Sequence, residues 1–498
     1  MIKDTESIEN TAYLKPVMFV GTASDVGKSI ITTGFCRIFK QDGYAPAPFK
    51  AQNMSLNSYV TAEGFEIGRA QAVQAEAAGI SCHADMNPVL LKPTTDKSSQ
   101  VILLGKAIGN MSARDYFKPE GRAQLFAEVK KAFHRLAVKY NPVVMEGAGS
   151  ISELNLKSRD ITNMRMAKEA EAVTYLVTDI ERGGIFASLY GTIALLDEDE
   201  RKLIKGIIIN KFRGDVSLFA EGKKKVEELC GVPVIGILPY FKDIVIEQED
   251  SVALTQKMTR AVDGKVNIVI ILFNRLSNFT DFNRLENDPR VNLFYSNNAE
   301  EISKADIVIL PGTKNTIEDA IAIRNNGAAK AINEAFKNGK TVIGICGGYQ
   351  MMGGSIADPH RVESNIPETA GLDILPVQTI LLAEKTTRQC FFTYQNLKDK
   401  CTGYEIHMGE TLATEAKPLN FLPDGQTDGY WLNNKCWGTY MHGILDNPAV
   451  INQLLAEYTA VEHTITDYAQ YKEEQYDKLA ALLREHIDME YVYQSLKS

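Results

Sequence analysis

"VGTASDVGKSIITTGF", residues Val20 to Phe35, decides how the chain begins to fold. The apolar run Val17 to Val20 enters a glycine-containing turn that closes on Gly27-Lys28-Ser29 and opens a helix-like stretch. Strand, loop and helix in that order build a phosphate-binding loop. The glycines let backbone N–H groups converge on phosphate oxygens, and the helix N-terminus adds its positive dipole. Lys28 can reach the β- and γ-phosphates, and the Ser29 hydroxyl can ligate Mg²⁺. Five residues separate Gly21 from Gly27, where the usual loop has four. Either Thr22 replaces the first glycine or the loop is longer by one. The residues expected to hold ATP are therefore Gly21, Thr22, Gly27, Lys28 and Ser29.

Downstream, the same alternation repeats. "PVVMEGAG" (142–149), "VTYLVTDI" (173–180), "IKGIIINKF" (204–212) and "PVIGILPY" (233–240) read as buried parallel strands with loops at their ends. The pattern lapses into a polar stretch and restarts at "KVNIVIIL" (265–272). It continues through "ADIVILPGT", "TVIGICGG", "GYWLNN" and "CWGTYMHG" as a second α/β unit with a more antiparallel end. The expected organisation is a polar tail at 1–15, a first α/β unit at 16–245 and a linker at 246–264. A second α/β unit at 265–450 and a helical extension at 451–498 complete it. In the extension, Leu479, Leu482, Leu483 and Ile487 recur at spacings of three to four beside many charges, as on a surface helix.

Bulk composition narrows the function classes. At 498 residues, a single core is improbable. A formal charge of −9 gives no electrostatic reason for nucleic acid or anionic lipid as partner. No apolar run reaches the ~20 residues of a membrane span, and the start lacks the pattern of a secretory signal, so a cytoplasmic location is expected. Seven cysteines, with no CxxC pair, argue against a disulfide framework or a zinc site. A homo-oligomer is compatible with all of this.

Several residues stand where chemistry is expected. Glu146, at the end of a strand and before a small-residue turn, is a second oxygen ligand for Mg²⁺. Asn210, at another strand end, is placed to read a base edge. Lys50, Gln52, Asn53, Ser55 and Asn57 crowd into a segment with neither helical nor strand period, which reads as a substrate loop. Far downstream, Cys346 in Gly344-Ile345-Cys346-Gly347-Gly348 matches a nucleophile elbow, whose following helix lowers a thiol pKa. Gly312 in "VILPGTKNT" and Gly347 offer backbone N–H groups for an oxyanion. His442 in "WGTYMHGI" is the favoured base, with His407 in "GYEIHMGET" the competitor. Position +2 from His442 is Ile444, so a carboxylate orienting the imidazole is not at the H-x-E position.

Taken together, "GTASDVGKS", "PFKAQNMSLNSYVTAEGFEIGRAQAVQAEAAG", "EGAGSISELNL", "TDIERGGIFASLYGT", "LPGTKNT", "GICGGYQMMG", "GYEIHMGET" and "GTYMHGI" resemble the adenosylcobyric acid synthase family over nearly the whole chain. The resemblance implies a dethiobiotin synthetase-like P-loop domain followed by a class I glutamine amidotransferase-like domain. In that branch Cys and His are retained and the H-x-E glutamate is absent, which fits Ile444 and moves the base to His442. It also implies ATP, Mg²⁺ and L-glutamine, and a corrin a,c-diamide amidated at its b, d, e and g carboxylates. The near rival is cobyrinic acid a,c-diamide synthase. A rival of another class is a P-loop ATPase switch carrying an inactive amidotransferase module.

Overall fold

The computed structural model describes residues 13–116, 118–247, 249, 259–395, 397–459 and 468–497. Most of the expected polar tail and much of the expected linker at 246–264 lie outside these residues.

The first unit is built on a six-stranded sheet whose strands all run parallel. Their spatial order is Val234–Pro239, Ile204–Phe212, Val173–Asp179, Val17–Gly21, Val143–Glu146 and Ala47–Phe49. These are the β-branched runs the sequence marks as strands, buried because helices cover both faces. The first strand lies inside the sheet, between two strands that come later in the chain. The loop that follows it therefore opens at the point where the strand order reverses, which is where open α/β sheets bind ligands.

A second parallel sheet carries the other unit, in the order Val291–Ser296, Val266–Ile271, Ile307–Leu310, Thr341–Ile345 and Cys436–Thr439, with Tyr430–Asn433 antiparallel at its edge. A long hairpin, Val377–Tyr394 with Lys400–Ala413, extends from this unit and reaches the first one. There Thr387 Oγ1 donates to the Gly64 carbonyl at 2.7 Å and Gln389 Nε2 to that of Val60 at 2.9 Å.

The extension differs from the surface helix that its charges suggest. Helix Tyr468–His486 lies on helix Lys28–Gln41, burying Leu479 and Leu483 in the first unit's core. A Cβ on Gly34 would stand 2.2 Å from Leu483 Cδ1, so the approach needs a glycine. Arg37 binds Glu473 and Asp477 across the same contact. The chain thus returns to complete the domain in which it began. The described start of the linker also belongs there, through an Arg69–Glu247 ion pair at 2.6 Å.

Candidate active sites

Two chemically unlike centres sit at the strand ends of the two sheets. In the first, Gly27 takes φ +101°, and a Cβ there would lie 2.0 Å from Asn210 Nδ2. The loop needs glycine on both counts. Asn210 braces the loop: its Nδ2 donates to the Val26 carbonyl at 2.9 Å. That holds loop backbone, and Asn210 also lines the cleft beside the loop. Thr22 joins Thr178 at 3.1 Å, and a Cβ on Gly21 would meet Lys28 Nζ at 2.9 Å. Lys28 Nζ itself donates to the Ala23 and Gly149 carbonyls, at 2.9 and 3.0 Å.

Glu146 is the hub of this centre. Ser29 Oγ donates to it at 2.7 Å, Lys50 Nζ at 2.9 Å and Gln74 Nε2 at 2.8 Å. Burial alone would push its carboxyl up, but Lys50 and these hydrogen bonds hold it below the ordinary value, so it stays ionised. A hydroxyl and an ionised carboxylate 2.7 Å apart suit a hard divalent cation that takes its other ligands from phosphate and water. Among the described residues there is no cluster of three or more acidic, His or Cys side chains for a dedicated metal cage.

Around this hub lies a cleft of about 1730 Å³. Lys50, Gln52 and Asn53 of the polar segment line it. Ser55 and Asn57 do not, which corrects the expectation for Ser55. Its hydroxyl turns inward and closes a turn with Asn57, accepting from Asn57 N at 2.9 Å. The segment is also less irregular than its composition implies, since Gln52–Met54 pairs with Val89–Pro93 as a short strand. Arg122 was not legible. It reaches Gln52 Oε1 at 2.8 Å from a helix 70 residues away, and no local motif marks it.

The second centre forms where strand Thr341–Ile345 meets helix Gly347–Met352. Cys346 adopts φ 52°, ψ −112°, a strained conformation that lifts a side chain out of a strand-to-helix turn. Its N–H donates to the Thr439 carbonyl at 2.8 Å. A Cβ on Gly348 would fall 1.9 Å from the Leu310 carbonyl oxygen, so the elbow closes only on glycine. Gly347 opens the helix, leaving its N–H without an intrahelical partner. Gly312 packs beside His442, its would-be Cβ 3.2 Å from the imidazole Cε1.

His442 arrives on a two-residue strand, Met441–His442, paired with Tyr404 and Glu405 of the hairpin. Its ring stacks on Tyr404, with centroids 5.3 Å apart. Nδ1 meets Asp281 Oδ2 at 2.7 Å, and Asp281 Oδ1 accepts from Gly443 N at 3.1 Å. Burial would lower the imidazole pKa, but Asp281 and the Cys346 sulfur outweigh it and raise it to about 10. The ring is therefore an imidazolium at neutral pH, able to hold a thiolate and to give a proton to a leaving amine. Asp281 occupies the orienting position that Ile444 leaves empty, and Ile444 is wholly buried in the core.

His407 has another task. It stacks on Tyr440 at 3.8 Å, and its Nδ1 meets the Gly409 carbonyl at 2.8 Å, which makes Nδ1 the protonated nitrogen. Burial pushes its pKa down to about 4, so it is neutral. Burial also raises the thiols of Cys36, Cys82, Cys230, Cys390, Cys401 and Cys436, which leaves none of them suited to nucleophilic work.

Residues 17–254 match the family described as a CobQ/CobB/MinD/ParA nucleotide binding domain, and residues 267–450 a CobB/CobQ-like glutamine amidotransferase domain. Over 494 residues the chain is 62% identical to a cobyric acid synthase of Parabacteroides distasonis, which spans 98% of this chain and 99% of the relative. It is 58% identical over 487 residues to one from Bacteroides fragilis, spanning 97% of this chain and 98% of the relative.

Proposed function

The chain belongs to the cobyric acid synthase family, a group of glutamine amidotransferase ligases in cobalamin biosynthesis, and from that premise we propose the reaction its two centres perform. The acid substrate is adenosylcobyrinic acid a,c-diamide, and its b, d, e and g carboxylates become amides. At the first centre ATP phosphorylates a carboxylate. Lys28 offsets charge on the transferring phosphoryl group, and Ser29 with Glu146 would hold Mg²⁺, which supplies further charge neutralisation when bound. Ammonia then attacks the acyl carbon and phosphate leaves.

At the second centre the Cys346 thiolate attacks the carboxamide carbon of glutamine. Gly312 and Gly347 N–H groups receive the oxyanion. His442 gives its proton to the leaving nitrogen, which departs as ammonia, and the neutral imidazole then takes a proton from the water that hydrolyses the thioester to glutamate and frees the Cys346 sulfur. Asp281 holds the imidazole in place throughout. A reaction that draws on ATP and glutamine suits the cytoplasm, and no helix among the described residues is long and apolar enough to cross a membrane.

The observation that carries this reading is the size and chemistry of the cleft around Glu146. Small-molecule sites usually occupy about 300–1,000 Å³. The cleft exceeds that range, as a nucleotide beside a large macrocyclic acid requires. The test gives the purified protein ATP, Mg²⁺, glutamine and corrin acids of different amidation state, and separates products by charge. Each conversion removes one carboxylate with a pKa near 4, so products form a ladder. Acceptance of the a,c-diamide and passage through all four further steps supports the reading. Conversion of cobyrinic acid that stops at the a,c-diamide would identify the near rival, and ATP hydrolysis with no change in any corrin would favour the switch.

A further inference from the structure

Asn57 belongs to the polar segment that reads as a substrate loop, yet it is almost fully buried and does not line the cleft. Its carboxamide is spent in two directions. Nδ2 donates to the Glu249 carbonyl at 2.6 Å, and Oδ1 accepts from Phe279 N at 2.9 Å. The first contact lies at the cleft, because Glu249 lines it and its Oε1 also accepts from Asn53 Nδ2 at 2.7 Å. The second lies at the glutaminase, because Phe279 begins the short helix Phe279–Phe282 that presents Asp281 to His442. A parallel contact reinforces it: Ser58 N donates to Asn278 Oδ1 at 3.1 Å. Asn278 holds a left-handed φ of 52° and accepts at its carbonyl from Asp281 N at 3.0 Å.

We propose that Asn57 is a positioning residue which ties the state of the synthetase cleft to the alignment of the Asp281–His442 pair. The inference rests on the reading of function given above. One side chain hydrogen-bonds a cleft-lining residue and the backbone that carries the orienting carboxylate. A shift of Asn53 or Glu249 on filling the cleft therefore has a short, fully hydrogen-bonded path to the turn that aims His442. Asparagine suits this, because its carboxamide donates at one atom and accepts at its neighbour at any pH. The use is economical: glutamine is hydrolysed fastest when an activated acid is waiting.

The experiment compares the wild type with Asn57→Asp, which keeps the acceptor for Phe279 and loses the donor to Glu249, and with Asn57→Ala, which loses both. Glutaminase kcat is measured with glutamine alone and again with ATP, Mg²⁺ and the corrin a,c-diamide. Glutamine consumed per amide formed is measured alongside. The wild type is expected to speed up when the cleft is filled. In the Asp variant the ratio of filled to unfilled rates should fall to unity, with glutamine consumed in excess of amide. The Ala variant should show the same loss and a lower glutaminase kcat in both states. Synthesis supplied with ammonium, which bypasses the glutaminase, reports that each variant is folded. If the Ala variant does not fold, the Asp variant decides. Variants that keep the wild-type ratio and stoichiometry overturn the proposal, as does a wild type that makes amide without any stimulation. A wild type that makes no amide from either nitrogen source overturns the functional reading instead.

Discussion

At the scale of single residues, the two centres separate cleanly by substitution. Cys346→Ala should abolish glutamine-supplied amidation and spare ammonium-supplied amidation, because the thiolate acts only in releasing ammonia. Lys28→Ala should lose synthesis from both sources while hydrolysis of glutamine persists. Rates measured with each nitrogen donor would check this, and a Cys346→Ala enzyme as inactive with ammonium as with glutamine would refute the division of labour. Asp281→Asn tests the third member of the site. Removing the carboxylate leaves burial as the main influence on His442, whose pKa must then fall from about 10. Glutaminase kcat should drop by roughly 10²-fold or more, and the alkaline limb of its pH profile should move toward neutrality. These three residues also mark how far a sequence can be read. Lys28 and Cys346 sit in local patterns of glycine, strand and helix that physics constrains within a few positions. Asp281 reaches His442 across 161 residues, and an aspartate in "NFTDF" looks like an ordinary turn acid until the chain is folded.

Elements tell a similar story with a different cause. The strands of both sheets were legible because burial on both faces forces runs of β-branched residues. Helix Tyr468–His486 was legible as a helix, but its partner was not. The same Leu479 and Leu483 spacing serves any apolar surface, and the surface it covers lies more than 400 residues earlier, as the Arg37 to Asp477 bond records. Ser55 was misread for the opposite reason. Polar residues that satisfy one another in a turn have the same composition as polar residues waiting for a ligand. Leu483→Ala should therefore destabilise the first unit by about 2–5 kcal/mol, the usual cost of emptying a packed leucine site. The measurement is the denaturant midpoint for loss of ATP binding. An unchanged midpoint would mean the extension is an appendage and contributes no core.

Across the whole molecule, the joint between the units holds a buried triad. Glu66 of the first unit takes Lys92 of its own unit at 2.8 Å and Lys385 from the long hairpin of the second. Burial alone would raise the Glu66 carboxyl, but the two ammonium groups hold it well below its ordinary value of 4.5. Such a carboxylate stabilises fully above its unfolded pKa, and the contribution is lost as pH falls through the folded one. Burial pushes Lys385 down to about 8 even with Glu66 beside it. Glu66→Gln leaves two buried ammonium groups without their shared counter-charge, and breaking a buried pair in this way typically costs ~3–5 kcal/mol. At neutral pH the variant should unfold at correspondingly lower denaturant. On the alkaline side the rise of stability with pH that the depressed Lys385 already gives the wild type should become larger and begin at lower pH. Without Glu66, Lys385 sheds its proton in the folded state at still lower pH than the value of about 8 it has beside that carboxylate. The unfolded chain then binds more protons, so stability rises with pH until the lysine's unfolded pKa is passed. On the acid side the gap between wild type and variant should narrow, because protonating Glu66 turns the wild type into the equivalent of the variant. Unfolding midpoints measured from acid to alkaline pH would check both limbs. A Glu66→Gln protein that matches the wild type at every pH would mean that the hairpin contacts at Gly64 and Val60 hold the joint without the triad.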